Sequence, residues 1–335
     1  MTDFAADVLA AALHRDERGR SAWDRASSHP DLLDRAPYQL LPLLYRNLDS
    51  LGVDDPALPR LKGVYRNSWY RNQRVFAAGR EALERLEAAS VEALVLGGPA
   101  LAAHYYPDRG ARPIAAVELL VRPEDVPAAT ARLRSGGWQA EERELERLRL
   151  TASAARFVQA DRPDLILHWY PFRLPVPSEE VWARTTRLAL AGDGDWPALE
   201  PAIELMHACA TAGPEGGWLA DGLVVARSGE VDWDRLAELA IAWRMPEQGQ
   251  RLAELRAEDP LAVPAVAVES ALQAPPGPGD GIERMSRRAG AKAHRVGLHW
   301  QRYRRLRAMG PGAVGPLSYW VAVAAVRSRR RRFRL

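Results

Sequence analysis

The feature that most constrains the fold is a short apolar run, residues 93–96, that stops at the consecutive glycines Gly97 and Gly98. A run of this length suits a buried strand, and the glycines suit a tight turn. Pro99 is well placed in the first turn of a helix, because its missing N–H has no partner to lose there. The sequence therefore predicts a buried strand, a turn and a helix in immediate succession.

Further strands follow this unit. A second apolar run at residues 117–121 leads into a helix, and two shorter runs flank a turn at residues 161–164. Short apolar runs separated by turn residues are typical of strands. The order predicts an α+β fold: a small mixed sheet within residues 90–172, wrapped by N-terminal and C-terminal helices.

The rest of the chain divides around this core. Residues 1–89 show the spacing of apolar residues expected for helices, and so do residues 173–260. Residues 261–335 combine a Pro/Gly-rich loop with a basic tail that ends in the arginine-rich segment 327–334. Such a segment is most typical of a solvated tail, with anionic lipid or nucleic acid as the alternative.

Composition limits the partners and the compartment. The 335 residues carry a formal net charge of only +3 at pH 7, so nucleic acid is not expected as a partner. The single cysteine, Cys209, excludes an intrachain disulfide and a cysteine-based zinc site. The N-terminal residues lack the pattern of a signal peptide, and no apolar run is long enough to span a membrane. A cytoplasmic protein is expected.

A series of short motifs occurs between residues 38 and 245. The most informative are Leu-Gly-Gly at 96–98, Arg-Pro-Ile at 112–114, Glu-Leu-Leu-Val at 118–121 and Leu-His-Trp at 167–169. In this order and at these distances they resemble the uncharacterised bacterial nucleotidyltransferase family, which belongs to the polymerase-β-type nucleotidyltransferase superfamily. The resemblance implies a nucleotidyltransferase core that uses an NTP with Mg²⁺.

The active site of that superfamily indicates which residues matter. A glycine turn at a helix N-terminus faces the triphosphate. Two acids one residue apart on a strand, with a third from a later strand, hold two metal ions that stabilise the transferring phosphoryl group. The resemblance implies nucleotide contacts at Gly97, Gly98 and Arg112 and a metal contact at Glu118. The candidate catalytic residues are Glu118, Asp164 and His168.

This sequence departs from the family pattern at the acids. The family motif is roughly Asp-Ile-Asp, whereas here Ala116 stands at the first acid and Glu118 alone keeps a charge. Ile166 stands at the later acid, and Asp164 on the same face of a regular strand is roughly 6–7 Å away. Gly97 replaces a lysine that would meet phosphate. Any NTP with Mg²⁺ is therefore expected to bind weakly or not at all.

Each candidate also has a structural interpretation. The glycine turn can be a simple connection from strand to helix, and Glu118 can cap a strand edge. His168 is more typical of a hydrogen-bonded structural histidine than of a catalytic base. Arg112 either contacts phosphate or braces the turn, and Asp221 is more typical of a salt bridge than of chemistry.

Two main functions follow from the sequence. One is a catalytically impaired or inactive pseudo-nucleotidyltransferase that acts as a binding or scaffold partner in a biosynthetic pathway, such as that of a natural product. The alternative is an active enzyme that moves an NMP from an NTP to a small-molecule or peptide acceptor, using Glu118 and a non-standard metal site. New chemistry in the same cleft is a third. The loss of two of three acids favours the first, because charge stabilisation supplies much of phosphoryl-transfer catalysis.

Overall fold

The N-terminal region is helical. A computed structural model describes residues 3–29, 31–142, 145–190, 194–211, 217–278, 280, 291–309 and 315–332. The first helices are α1 (Asp3–Leu13), α2 (Glu17–Ser27), α3 (Leu32–Arg35), α4 (Leu41–Ser50) and the long α5 (Leu58–Glu87).

Among the residues that the model describes, seven strands form one sheet. Its strands are β1 (Ala93–Val95), β2 (Ala116–Val121), β3 (Gln139–Ala140), β4 (Ala154–Val158), β5 (Asp164–His168), β6 (Thr185–Leu190) and β7 (Gly194–Leu199). They lie in the order β3-β4-β5-β2-β1-β7-β6. The pairs β2–β5 and β1–β7 are parallel and the others are antiparallel. This mixed sheet confirms the predicted α+β class.

Helices connect and cover the strands. Within the sheet region they are α6 (Gly97–Ala100), α7 (Val126–Ser135), α8 (Leu145–Thr151) and α9 (Ser178–Trp182). After the sheet come α10 (Pro201–Ala210), α11 (Gly217–Ala226), α12 (Trp233–Ala242), α13 (Pro246–Glu258), α14 (Ala265–Leu272), α15 (Ala291–Met309) and α16 (Pro316–Arg332). Among the residues that the model describes, no helix combines the length and the apolar character needed to cross a bilayer.

The two faces of β2 serve different purposes. Val117 and Leu119 point into the core cluster that also contains Val75 and Phe76 of α5. Gly79 lets α5 approach closely, because a Cβ there would lie 2.9 Å from the Trp196 ring. Since side chains alternate along a strand, Ala116, Glu118 and Leu120 point to the opposite face. That face carries the candidate site.

Strands β6 and β7 correct the predicted boundary of the core. The prediction ended the sheet at residue 172 and made residues 173–260 helical, but β7 pairs in parallel with β1 at Val95 and Ala198. Pro197 lies inside β7, opposite Arg187 of β6. A proline has no N–H for a ladder hydrogen bond and argues against a central strand, which is why the pattern was missed.

The C-terminal region is also not the loop and tail that the sequence predicted. Helices α15 and α16 pack onto the core, with the rings of Tyr303 and Tyr319 both buried and 5.3 Å apart. Arg302 of α15 donates hydrogen bonds to the carbonyls of Leu150 and Arg173. The arginine-rich segment 327–334 enters α16, but its side chains and residues 333–335 lie outside the described part.

Candidate active site

The glycine turn between β1 and α6 is closed by the carboxyl groups of two side chains. Gly97 has φ +63°, a left-handed conformation that glycine adopts without strain. Its N–H donates to Oε1 of Glu204 at 3.0 Å. The next amide, that of Gly98, donates to Oε1 of Glu118 at 3.2 Å. Both amides of the turn therefore have acceptors within the protein.

The strand register shows which side chains are neighbours of Glu118. In the parallel pair β2–β5, Ala116 lies opposite Asp164 and Glu118 lies opposite Ile166. His168 is one position further along this face, and its Nε2 lies 3.4 Å from Oε2 of Glu118. That separation suits an ion pair, but Nε2 makes no hydrogen bond within the described residues.

Asp164 belongs to a different interaction. Its Oδ2 accepts from Nε of Arg156 on β4 at 2.9 Å, and also from Nη2 of the same side chain. The register places Asp164 opposite Ala116, one pleat away from the level of Glu118. The structure thus brings Glu118 and His168 together and leaves Asp164 paired with arginine.

Glu118 is held in its charged form. Burial by itself raises its pKa, but the contact with His168 and the positive charges near it, which include Arg112, outweigh that effect. The net pKa of Glu118 lies below its usual value. A carboxylate that is ionised at neutral pH therefore faces the amides of the glycine turn.

Arg112 is fixed behind the turn by a buried ion pair. Its Nε and Nη2 donate to the two carboxylate oxygens of Asp221 on α11, at 2.7 and 2.8 Å. The hydroxyl of Tyr106 also donates to Asp221, at 2.7 Å. Burial lowers the pKa of Arg112, but Asp221 raises it by more, so the guanidinium stays charged. Asp221 forms a salt bridge, as its sequence context indicated.

Arg112 also lies against the turn itself. A Cβ added at Gly98 would be 2.7 Å from Nη1 of Arg112, so a larger residue there would require the guanidinium to shift from its position against the start of α6. The arginine therefore supports the turn. Its role as a nucleotide contact stays a prediction.

Two site residues on α10, Glu204 and His207, were missed from the sequence. Both are buried, and Oε2 of Glu204 and Nδ1 of His207 have no hydrogen-bond partner among the described residues. Burial raises the pKa of Glu204 to about 8 and lowers the pKa of His207 to about 4. The ring of His207 lies 6.4 Å from that of His168, measured between centroids. The signal was an acid and a histidine three residues apart in an otherwise apolar helix.

The side chains present do not fit a two-metal site. Within the described parts of the chain, no group of three or more His, Cys, Asp or Glu side chains is arranged to hold a metal ion. Glu118 accepts a hydrogen bond from the Gly98 amide, and Asp164 accepts one from Arg156. The side chain of Ile166 has no oxygen that could bind a metal. The donor set that Mg²⁺ requires, several oxygens in octahedral geometry, is not assembled around Glu118.

Comparison with known proteins places the chain in a family. No curated protein matches it. A solved structure of an antigenic nucleotidyltransferase-like protein from Paracoccidioides brasiliensis is 13% identical, with a TM-score of 0.36 over 61% of this chain and 94% of that one. This similarity is too low to support a functional argument. A family model described as uncharacterised nucleotidyltransferase matches residues 35–257. Because this match covers more than half of the chain, the chain belongs to the family of uncharacterised nucleotidyltransferases.

Proposed function

We propose that this chain is a nucleotidyltransferase-like protein that has lost two-metal nucleotidyl transfer and acts as a binding or scaffold partner in a biosynthetic pathway. One observation carries the proposal. The two backbone amides that would receive a triphosphate donate instead to carboxyl oxygens of the same chain, those of Glu204 and Glu118.

The length of the Glu118 side chain accounts for this arrangement. An aspartate at this position is one methylene shorter, and its carboxylate would stand further from the turn. The glutamate reaches Gly98, and its Oε1 would lie 2.9 Å from any Cβ at Gly97. A triphosphate approaching these amides would displace a bound carboxylate and meet its negative charge. Phosphate binding at this helix N-terminus is therefore opposed by the protein itself.

The site also lacks side chains that could bind the two metal ions. Two-metal catalysis needs clustered carboxylates that hold both ions against the reacting oxygens. Here Ala116 and Ile166 flank Glu118 in the register, and neither supplies a ligand. The Nε2 of His168 lies 3.4 Å from Glu118, but imidazole is a ligand for zinc, copper or iron rather than for Mg²⁺. These features favour the inactive protein over the active alternative, which uses Glu118 and a non-standard metal site.

A protein that does not catalyse nucleotidyl transfer can still present a surface that binds a partner. The partner we propose is a small-molecule or peptide substrate, or another protein of the same biosynthetic pathway, such as a natural-product pathway. The buried ion pair of Arg112 and Asp221 ties the loop before β2 to α11 through the protein's own side chains. A cleft stabilised in this way suits a scaffold.

The test is calorimetric titration of ATP, GTP, CTP and UTP with Mg²⁺ or Mn²⁺, in the parent and in Glu118→Gln. This measurement follows nucleotide and metal binding directly, so it needs no acceptor. We expect no metal-dependent nucleotide binding in either protein. Pyrophosphate release from the same mixtures is the second measurement, and we expect none above the rate without protein.

Metal-dependent nucleotide binding by the parent that Glu118→Gln removes would contradict the proposal. It would establish instead the active enzyme with a non-standard metal site. Glu238→Gln on α12 is a matched control, since it removes an exposed carboxylate far from the glycine turn in the sequence.

A further inference from the structure

The exposed side of α5 has an unusual distribution of charge. Residues 58–80 contain six basic residues and no acidic residue, whereas residues 81–87 contain three glutamates. Tyr70 is 62% exposed and lies at the centre of the exposed side. Arg66 and Arg74 are one turn before it and one turn after it, so the three side chains are neighbours. The near-neutral charge of the whole chain hides this local excess.

The cations on this side are largely uncommitted. In the part of the chain that the structure describes, the side chains of Arg66 and Arg71 form no ion pair or hydrogen bond. Arg74 is held in place by a hydrogen bond to the carbonyl of Asp161, at 2.6 Å, which leaves its charge uncompensated. By contrast, Arg85 near the end of the helix pairs with Glu81. The positive charge of the first part of α5 is therefore available to a partner.

Aromatic rings lie among these cations. Trp69 is 46% exposed beside Tyr70, and Tyr38 is 45% exposed. The hydroxyl of Tyr38 lies 3.5 Å from the side-chain amide of Asn67. Large aromatic side chains that stay exposed next to free arginines form a surface on which flat rings stack and phosphates bind.

We propose that this surface, which we call the α5 face (Arg66, Trp69, Tyr70, Arg71 and Arg74), binds single-stranded RNA. The arginines would contact phosphates, and Tyr70 and Trp69 would stack on bases. An acidic protein would use the cations and leave the rings unused, whereas RNA uses both. Tyr38 and Asn67 at the edge of the face supply hydrogen-bonding groups for ribose 2′-hydroxyls, which distinguish RNA from DNA.

The face is preorganised by the buried side of the same helix. The Asn72 side chain donates to the carbonyls of Arg109 and Arg112 and accepts from the N–H of Ile114. A Cβ at Gly110 would be 2.9 Å from Cβ of Trp69, so the loop packs directly against the helix. A rigid surface loses less entropy on binding. The proposal does not rest on the loss of catalysis in the cleft.

The test is fluorescence anisotropy of the full chain with labelled mixed-sequence RNA of about 12 nucleotides, a length within the usual range of single-strand sites. Tyr70→Ala should weaken binding roughly five- to 150-fold, as expected for one lost stacked base. Tyr70→Phe keeps the ring and should bind like the parent. Arg66→Gln should reduce the slope of log K against log salt by about 0.7, the value for one phosphate contact with a single strand.

Arg132→Gln on α7 is the matched control, because it removes one exposed arginine elsewhere. The end of α7 packs beside Arg85, about 28 Å along α5 from Arg66. This control should bind RNA like the parent. Equal losses in Arg66→Gln and Arg132→Gln, or no saturable binding, would overturn the proposal. So would DNA of the same sequence binding as tightly as RNA, or a polyglutamate peptide competing equally well.

Discussion

Glu204 offers the sharpest test of how the glycine turn is held. Its side chain is 1% exposed and accepts the Gly97 amide, and burial raises its pKa from 4.5 to about 8. The substitution Glu204→Gln keeps an oxygen for that amide and removes the ionisable proton. Any difference in pH dependence between parent and variant then reports the titration of this one group.

The direction and size of this pH dependence follow from the difference between the pKa of Glu204 in the folded protein and its pKa in the unfolded protein. Between its unfolded pKa and its raised folded pKa, Glu204 binds a proton in the native state and loses it in the unfolded state. The stability that this group contributes is therefore present below pH 4.5 and decreases until about pH 8. Each pH unit costs about 1.4 kcal/mol, so between about pH 5 and pH 8 the parent loses on the order of 4 kcal/mol that Glu204→Gln does not lose.

Urea unfolding followed by tryptophan fluorescence, at half-unit steps of pH, measures this difference. The gap in unfolding free energy between Glu204→Gln and parent should grow in favour of the variant as the pH rises. Glu238→Gln, an exposed substitution on α12, serves as the control and should run parallel to the parent. A gap for Glu204→Gln that stays constant with pH would contradict a raised pKa of Glu204 in the folded protein. It would show that a charged carboxylate holds the turn.

Three further substitutions test the packing around the turn. Arg112→Ala leaves Asp221 buried without its partner and should lower the unfolding free energy by about 3–5 kcal/mol in urea; a loss below 1 kcal/mol would indicate that the pair is solvated. Gly97→Ala forces a left-handed φ on a residue with a Cβ that would contact Glu118, so it should lower the unfolding free energy by roughly 1–3 kcal/mol in the same assay. An unchanged unfolding free energy would mean that the turn adopts another conformation. Asn72→Ala removes three hydrogen bonds and should lower the unfolding free energy by about 3 kcal/mol, with faster hydrogen exchange in the loop that carries Arg112. Unchanged exchange would show that Asn72 does not hold this loop in place.

The sequence predicted those parts of the fold that depend on local patterns. The apolar run before Gly97, the strand that contains Glu118 and the paired strands around residues 161–164 all have signals within a few residues. The alternation of side chains along a strand placed Ala116 and Glu118 on one face, and the register agrees with that placement. The sequence did not predict β7, because Pro197 interrupts its strand pattern. This strand is stabilised by its parallel partner β1, which is far away in the sequence.

The site was less predictable, because its contacts are long-range. Glu204 meets Gly97 across 107 positions of sequence, and Arg112 meets Asp221 across 109. No local pattern encodes such a pairing. A buried acid in an apolar helix indicates that a partner exists but does not identify it. The orientation of Glu118 toward the turn was equally hidden, since a strand position defines a face but not the reach of a side chain.

We propose that the site around Glu118 holds no metal, because two carboxylates are missing and Glu118 accepts the Gly98 amide. The measurement is the effect of Mg²⁺ on the melting temperature of the parent and of the triple variant Ala116→Asp, Glu118→Asp and Ile166→Asp. The triple asparagine variant at the same positions is the matched control without charge. Three clustered acids repel one another, so the aspartate variant should melt below the parent without metal, and Mg²⁺ should raise its melting temperature specifically. The parent and the asparagine variant should show no such rise, and equal shifts in all three proteins would contradict the claim.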